Sequence, residues 1–194
     1  MNFKLTEERT RRLILRPYKK ADYEVWFDAY VNRLEPLNKW DEGPVPKRKC
    51  SKRHFENFLK KLKELGRKDD YYRYGVFKKK TGELIGHVDF DIFVRGTHQF
   101  SNFGYQIYNQ HWGNGYGREA ARKGLFIGFR QLKLNRLEAA INFENRKSIR
   151  LAKLIGMQKE GIKKRYWFEF GEWTDHVIYV ANPEDVGLNP SRPF

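Results

Sequence analysis

The sequence has little cysteine and no long apolar run. Cys50 is the only cysteine among 194 residues, so an internal disulfide is excluded. The first ten residues are polar and form neither a signal-peptide core nor a membrane-length apolar segment. We therefore expect a protein of the reducing cytoplasm that does not enter a membrane.

Acidic residues are scarce relative to basic ones. The 39 lysines and arginines exceed the 24 aspartates and glutamates, giving a net charge of +15. Such a charge attracts polyanions, namely phosphates, nucleic acid or a phosphorylated cofactor, and does not choose among them. The densest basic run, residues 46–68, also carries apolar residues at helical spacing, which predicts an amphipathic helix. A solvated surface is the preferred interpretation of its basic face, and an RNA-docking face is the alternative.

Disorder and metal binding are both disfavoured. Apolar residues make up 40% and aromatic residues 16% of the chain, enough to build a core. We expect one domain over residues 1–194, with its core at 8–182 and a C-terminal tail at 183–194. No metal site is expected, because the histidines show no metal-binding spacing. These histidines are His54, His87, His98, His111 and His176.

The order of predicted elements favours an α+β fold (α/β by some schemes). The predicted strands are 12–18, 71–79, 83–94, 100–108, 137–141, 157–168 and 173–180, and the predicted helices are 21–31, the basic run ending at Gly66, 118–133 and 148–155 before Gly156. The strands from 71 to 108 should form an antiparallel meander, and the last two a hairpin around Phe170-Gly171. The result is a mixed, mostly antiparallel central sheet of about seven strands with flanking helices.

Three glycines alternate at the start of one predicted helix, at Gly113, Gly115 and Gly117. A strand that leads through glycines into a helix presents free backbone N–H groups at the positive end of the helix dipole, which is an anion site. A simple chain-reversing turn is the alternative. A Walker loop is excluded because Arg118-Glu119 follows Gly117. A dinucleotide fold is disfavoured by the glycine spacing, although Glu138 lies about 20 residues further on.

These residues make the chain resemble the GNAT superfamily of acetyl-CoA-dependent N-acetyltransferases. Its cofactor loop reads Q/R-x-x-G-x-G/A, and the stretch Trp112-Gly-Asn-Gly115-Tyr-Gly117 matches both glycine positions, with Trp112 as in the RimJ-like branch. Further matches, in order along residues 8–182, are Thr10 to Arg16, Val94 to Gly96, Asn145 to Ser148, Lys153 to Met157 and Gly171 to His176. The RimJ/RimL type, which acetylates N-terminal amines of ribosomal proteins, is the most similar branch.

The resemblance implies an acetyl-CoA site and no metal. The pyrophosphate would lie on a loop made of Trp112, Gly113, Asn114, Gly115, Tyr116, Gly117 and Arg118. Strands 4 and 5 of the seven would splay apart, so that the main chain of Tyr105, Gln106 and Ile107 pairs with the pantetheine arm. Asn145 would hold that arm and Ser148 would protonate the departing thiolate. A simple helix N-cap is the alternative explanation of the Asn145–Ser148 pair.

The general base and the acceptor wall are less defined. Glu138, on the splayed strand, is the first choice of base, and Asp175, His87, Asp89 and Asp91 are alternatives, each of which also fits a structural charge. Trp40 falls where the family builds its acceptor wall, although a core position would also explain it. Around it, Glu35, Asp41 or Glu42 would attract an ammonium group.

The expected function is therefore transfer of acetyl to a primary amine by direct attack in a ternary complex. The preferred acceptor is the N-terminal α-amine of a ribosomal protein. Contact with rRNA through the basic surface would accompany that acceptor if the basic face is the RNA-docking alternative and not a solvated surface. Acetylation of a small amine, such as a polyamine or an antibiotic, is one alternative. A ribosome- or RNA-associated binding protein that keeps the fold is another. The sequence leaves open the acceptor, the base, RNA binding and the choice between monomer and homodimer.

Overall fold

A single eight-stranded sheet organises the chain, in the order β1-β2-β3-β4-β5-β6-β8-β7. The computed structural model describes residue 3 and residues 5–190. The strands are β1 (Glu8–Arg9), β2 (Leu13–Arg16), β3 (Tyr71–Lys78), β4 (Leu84–Val94), β5 (Phe100–Ile107), β6 (Arg136–Asn142), β7 (Gln158–Glu169) and β8 (Glu172–Ala181). The α-helices are α1 (Tyr23–Val31), α2 (Lys52–Lys68), α3 (Tyr116–Arg130) and α4 (Arg146–Leu154).

The helices cover both faces of the sheet. On one face, Leu125 and Phe129 of α3 and Ala152 of α4 belong to the main buried cluster with β2 to β6 and β8. On the other face, Trp26 of α1 and Phe55 of α2 pack with residues of β3 and β4 in a second cluster. The predicted α+β class is confirmed, with β1 as a short additional strand paired to β2.

The predicted meander is confirmed, and the sheet opens just after it. Strands β3, β4 and β5 pair antiparallel along almost their whole length. Strand β5 then pairs parallel with β6 only from Phe100 to Asn102, against Arg136 to Glu138. Beyond Asn102 the two strands have no ladder between them, so Tyr105 to Ile107 have a strand neighbour on one side only. The splay predicted between the fourth and fifth of seven strands is therefore present.

Helix α2 is amphipathic as predicted but ends later than expected. Ser51 caps its N-terminus by accepting a hydrogen bond from the His54 N–H at 3.3 Å. Phe55 is buried beneath it, whereas the lysines and arginines of the outer face are exposed. Gly66 lies inside the helix, so its prediction as the terminus is wrong. The helix ends at Lys68, and its C-cap Asp69 adopts left-handed dihedrals with φ 61°.

The last two strands form the predicted hairpin. Phe170 (φ 55°) and Gly171 (φ 87°) are both left-handed, as the two central residues of a type I′ turn require. Strand β7 is interrupted at Arg165, where the register shifts between Lys163 and Trp167. This bulge bends the strand and turns its end toward the gap beside β6.

The predicted tail 183–194 is partly packed. Residues Pro183–Val186 form a short 3₁₀ helix, and Val186 and Leu188 pack against the main cluster. Residues 191–194 lie outside the described residues, as do residues 1, 2 and 4. Within the described part of the chain, no helix has both the length and the apolarity that a membrane crossing requires.

Candidate active site

The alternating glycines form an open turn into α3. Gly113 and Gly115 have φ of 79° and 74°, a conformation that side chains disfavour. Gly115 is the N-cap of α3, and no side chain of the described residues caps that helix. The first N–H groups of α3 therefore remain free for an external acceptor at the positive end of the helix dipole. This arrangement fits an anion, as the sequence predicted.

Arg12, which directly precedes β2, supports this loop. Arg12 Nη1 donates to the Asn114 carbonyl at 2.8 Å, and its guanidinium lies 4.5 Å from the centre of the Tyr116 ring. Arg12 Nε also pairs with Glu119 Oε2 at 2.7 Å, which holds the only acid of the first helical turn away from the loop. In the sequence, Arg12 stands out only as part of a matching motif, because no local pattern connects it to Asn114, 102 residues away.

Trp112 is fixed across the end of β5. Its indole Nε1 donates to the Ile107 carbonyl at 2.6 Å, and Lys147 Nζ lies 4.1 Å from the centre of the ring. One lone pair of the Ile107 carbonyl is thus already used within the protein. Gln106 turns its main chain toward β4, because the Tyr108 N–H bonds a β4 carbonyl and alternate residues of an antiparallel ladder point the same way. Of the three β5 residues predicted to pair with pantetheine, Tyr105 keeps its main chain unpaired at the open edge.

A groove of about 750 Å³ runs from this loop along the open edge of β5. The predicted cofactor residues that line it are Tyr105, Gln106, Ile107, Trp112, Gly113, Gly115, Tyr116, Gly117, Arg118 and Asn145. Asn114 is absent from the lining and supports the turn through hydrogen bonds to the His111 and Trp112 carbonyls. Lys147 and Arg150 of α4 add positive charge to the groove. The donor set fits a diphosphate and an extended amide-bearing arm.

Asn145 and Ser148 meet Tyr105 at the end of the groove. The Ser148 N–H donates to Asn145 Oδ1 at 3.1 Å, so the predicted N-cap is present. The Ser148 hydroxyl lies 3.1 Å from the Tyr105 hydroxyl, which also donates to the Ser148 carbonyl at 3.2 Å. Burial raises the pKa of Tyr105 to about 12, so the phenol stays protonated at neutral pH. Two hydroxyl groups therefore stand together where a proton donor was predicted.

A second, smaller cavity opens on the other side of this junction. Its volume is about 270 Å³. It shares Trp40, Tyr105, Asn145 and Ser148 with the groove, and is further lined by Asn102, Phe103, Gly104, Ala139, Ala140, Ile141, Asn142, Trp167, Glu169 and His176. The two spaces meet in the gap between β5 and β6. Two substrates that enter from opposite sides would come together there.

The structure keeps Glu138 out of both cavities. Its side chain is 2% exposed and forms ion pairs with Lys163 and with Arg136, the latter at 3.4 Å. It lies at the closed end of the splay, opposite Asn102 in the β5–β6 ladder. Its two cationic partners pair with the buried carboxylate and hold it away from the cavities. The assignment of Glu138 as base stays a prediction that this placement does not favour.

The other predicted bases occupy different surroundings. His87 lines the groove, and burial together with Arg73 and Arg33 holds its pKa well below the usual range. Asp89 pairs with Arg73 at 2.9 Å. Asp91 is outside both cavities, and burial raises its pKa. Asp175 accepts the Arg165 N–H at 2.8 Å in the β7 bulge. Of these four, only His87 reaches a cavity.

Trp40 lies at the predicted acceptor wall, whereas the acids near it do not. Trp40 lines both cavities and packs edge-on against Phe170 with ring centres 5.9 Å apart. Asp41 accepts hydrogen bonds from the Leu37 N–H and the Asn109 amide, and Glu42 pairs with Arg33 at 2.6 Å. Glu35 is exposed and lines neither cavity. The loop acids therefore hold the loop instead of facing the junction.

Glu169 and Trp167 line the smaller cavity, and no sequence pattern pointed to either residue. Glu169 is the carboxylate on that cavity. Glu169 directly precedes the predicted Phe170-Gly171 turn and belongs to no motif. Among the described residues, no group of three or more histidine, cysteine, aspartate or glutamate side chains is placed to hold a metal ion.

Comparison with known proteins gives the family. Residues 12–158 match the acetyltransferase (GNAT) domain, more than half of the chain. The probable N-acetyltransferase YjcK of Bacillus subtilis is 36% identical over 119 residues, which are 61% of this chain and 66% of that protein, slightly under two thirds of its length. The [ribosomal protein uS5]-alanine N-acetyltransferase of Escherichia coli is 27% identical over 91% of this chain and 90% of its own length.

Solved structures show the same fold. RimJ of Mycobacterium smegmatis in complex with CoA-disulfide superposes with a TM-score of 0.75 at 20% identity, covering 95% of this chain and 90% of that one. Spermidine N-acetyltransferase from Vibrio cholerae in complex with CoA and spermine gives a TM-score of 0.68 at 22% identity, covering 91% and 99%. The chain therefore belongs to the GNAT family of N-acetyltransferases, enzymes whose fold uses acetyl-CoA.

Proposed function

We propose that this enzyme transfers acetyl from acetyl-CoA to the N-terminal α-amine of a protein. The observation that carries the proposal is the junction of the two cavities at Tyr105, Asn145 and Ser148. A groove with the chemistry of a diphosphate site leads to it from one side, and the smaller cavity leads to it from the other. Such a junction supports direct transfer in a ternary complex, in which juxtaposition alone contributes about 7 to 11 kcal/mol.

The groove would hold the cofactor through main chain and cations. The free N–H groups at Gly115 to Arg118 would bind the pyrophosphate, with Lys147 and Arg150 adding charge. The main chain of Tyr105 and the side-chain amide of Asn145 would bind the pantetheine amides. Bound acetyl-CoA supplies a thioester: the neutral acceptor nitrogen attacks its carbonyl carbon, the C–S bond breaks, the thiolate takes a proton and the nitrogen releases one.

The proton for the departing sulfur would come from the two hydroxyl groups at the junction. Ser148 was predicted for this role, and its contact with the protonated Tyr105 phenol supports a shared donor. The nitrogen's own proton would leave by water, because Glu138 is ion-paired away from the cavities. Ser148, the hydroxyl with a predicted role, has Tyr105 as its side-chain partner and pairs with no histidine among the described residues. Direct attack by the amine needs no nucleophile–base pair.

The charge of the smaller cavity supports an α-amine as acceptor. The cavity, of about 270 Å³ and open to solvent, has room for the first residue of a peptide. Its lining holds one carboxylate, Glu169. A polyamine carries several ammonium groups and would leave all but one without a carboxylate partner here. The sequence similarity to the uS5-alanine acetyltransferase points the same way, whereas the fold likeness to the spermidine enzyme keeps a polyamine as the alternative.

Docking on the ribosome stays a prediction. The outer face of α2 presents seven exposed cations, Lys52, Arg53, Lys60, Lys61, Lys63, Arg67 and Lys68. Charge of this kind fits RNA phosphates and fits a solvated surface equally well, since exposed aromatic side chains for base stacking do not accompany it on the helix. Both a monomer and a homodimer are compatible with an RNA-binding face and with a solvated face. The cytoplasmic location also stays a prediction.

The test is an acceptor comparison with free thiol as the readout. A peptide that begins with alanine or serine should release CoA thiol and gain one acetyl group at its N-terminus. The same peptide with a blocked N-terminus is the matched control and should release none. Release with spermidine and not with any free N-terminus would select the polyamine alternative. Absence of release with every amine would overturn the enzyme proposal.

A further inference from the structure

A single carboxylate is built into the wall of the smaller cavity. Glu169, the last residue of β7, has one oxygen, Oε1, fixed by three side chains. Asn142 Nδ2 donates to it at 2.6 Å and Thr174 Oγ1 at 2.9 Å, and His176 Nε2 lies 3.2 Å away. These partners come from β6 and β8, so the sheet itself holds the carboxylate in place.

The other oxygen, Oε2, accepts no hydrogen bond from the described residues. The Glu169 side chain is 17% exposed, and the residue lines the cavity, so the solvent that reaches Oε2 lies in or beside that space. Burial by itself would raise the pKa of Glu169, but the hydrogen bonds from Asn142, Thr174 and His176 outweigh it and hold the pKa below the usual range. The free oxygen therefore carries negative charge at neutral pH.

Aromatic side chains surround this charge. Trp167 stacks on His176 with ring centres 6.3 Å apart and an interplanar angle of 21°. Trp40 lies across the cavity, and its indole Nε1 is buried without a hydrogen-bond partner in the described structure. His176 Nδ1 is likewise buried and unpartnered there. Apolar ring faces reduce solvent screening of the carboxylate and themselves attract a cation.

We propose that Glu169 Oε2 binds the ammonium group of the acceptor, between the rings of Trp40 and Trp167, and so selects acceptors that carry one positive charge at the amine. This inference rests on the proposed function and assigns its acceptor-binding residue. Glu169 is the anchor of the protonated amine before it loses its proton and attacks. No other carboxylate lines the smaller cavity among the described residues.

The test is steady-state kinetics of Glu169→Gln with an alanine-starting peptide. Glutamine keeps an oxygen for Asn142 and Thr174, removes the charge and puts an NH2 group in place of Oε2. The peptide KM should rise about 10- to 100-fold, as expected for loss of a hydrogen bond to a charged group. Affinity for CoA should not change, which also shows that the variant is folded. Glu172→Gln is the matched control and should behave as wild type. Glu172 is an exposed residue that faces Glu169 across the same hairpin, at the start of β8.

The wild-type enzyme provides a second measurement that needs no variant. An α-amine has a pKa near 8, so about a tenth of the peptide remains protonated at pH 9. If the ammonium form is the one bound, the peptide KM rises about tenfold between pH 7 and pH 9, and the difference between wild type and Glu169→Gln shrinks. A KM that falls as the amine loses its proton, or an unchanged KM in the variant, overturns the assignment of Glu169. A wild type that acetylates no peptide overturns the proposed function instead.

Discussion

The hydroxyl of Tyr105 lies 3.1 Å from the hydroxyl of Ser148, at the point where the groove along β5 meets the smaller cavity. Tyr105 stands on β5 and Ser148 in the first turn of α4, 43 residues apart. Burial keeps the phenol protonated, so the pair is a donor of one proton that either oxygen can deliver. Ser148, whose N–H donates to the N-cap Asn145, therefore has a second hydroxyl group beside its own.

Removal of either hydroxyl should slow the chemical step. We expect Ser148→Ala and Tyr105→Phe each to lower kcat by about 10²-fold, the low end for general acid catalysis, with little change in CoA affinity. The double variant should be no slower than the slower single variant, since the two act as one unit. Rapid-quench or thiol-release kinetics measures this. Multiplied effects in the double variant would show two independent roles.

The glycine loop should tolerate a side chain poorly at Gly115. Gly115→Asp introduces a strained residue at φ 74° and places a negative charge at the free N–H groups. We expect the Kd for CoA to rise about 10²-fold by calorimetry, equivalent to about 2.7 kcal/mol. Gly96→Asp is the control, because Gly96 also has positive φ (63°) with open space around it, in the turn between β4 and β5. Equal weakening in both variants would point to general strain.

Asn145 has a capping role and a proposed cofactor role, which two substitutions separate. Asn145→Ala removes the acceptor for the Ser148 N–H and should cost about 1 kcal/mol of unfolding free energy. Asn145→Asp keeps that acceptor and should leave stability nearly unchanged. Both lose the amide donor, so both should bind CoA about tenfold more weakly. Denaturant unfolding and calorimetry measure the two effects. Normal CoA affinity in the aspartate variant would leave capping as the only function.

Glu119 should make stability depend on pH. Its carboxylate accepts hydrogen bonds from Thr10 Oγ1 at 2.5 Å, the Arg12 N–H at 2.7 Å and Arg12 Nε at 2.7 Å. Burial would raise its pKa, but these bonds outweigh burial and lower it. A lowered pKa stabilises the fold above the unfolded value, about 4.3, and this contribution disappears as pH falls through the folded value.

Glu119→Gln should therefore lower the free energy of unfolding by about 1 to 3 kcal/mol at pH 7. The difference from wild type should narrow as the pH is lowered below about 4, because the wild-type carboxylate becomes protonated too. Urea unfolding at a series of pH values is the measurement. Lys123→Gln is the control for surface charge. Lys123 lies on the same helix as Glu119 and pairs with Glu8 of β1. A difference that stays constant with pH would contradict the ionic origin.

Most elements could be predicted from local patterns. The meander, the amphipathic α2, the Phe170-Gly171 turn and the N-cap at Asn145 each depend on residues within a few positions of one another. Gly66 shows where such patterns fail, because a glycine is permitted inside a helix. The helix ends two residues later at Lys68, and its C-cap Asp69 reaches left-handed dihedrals without being glycine.

The candidate site likewise contains residues that local patterns predict and residues that only the fold brings together. The glycine loop lies within one stretch of sequence and could be found there. Glu169 could not, because its hydrogen-bond partners lie on two other strands, and Asn142 is 27 residues away. Glu138 was placed correctly on β6, but its ion pairs with Lys163 and Arg136 depend on the neighbouring strands and on the bulge in β7.

The sequence by itself determined the glycine turn into α3, the order of the elements and the family resemblance, because dihedral preferences, helical spacing and motifs are local properties of the chain. The tertiary structure alone decided how far β5 and β6 stay paired, which two cavities the gap between them joins, and which carboxylate faces the smaller one. Those outcomes depend on the packing of strands and helices that are distant in sequence, where side-chain orientation is set by neighbours and not by adjacent residues.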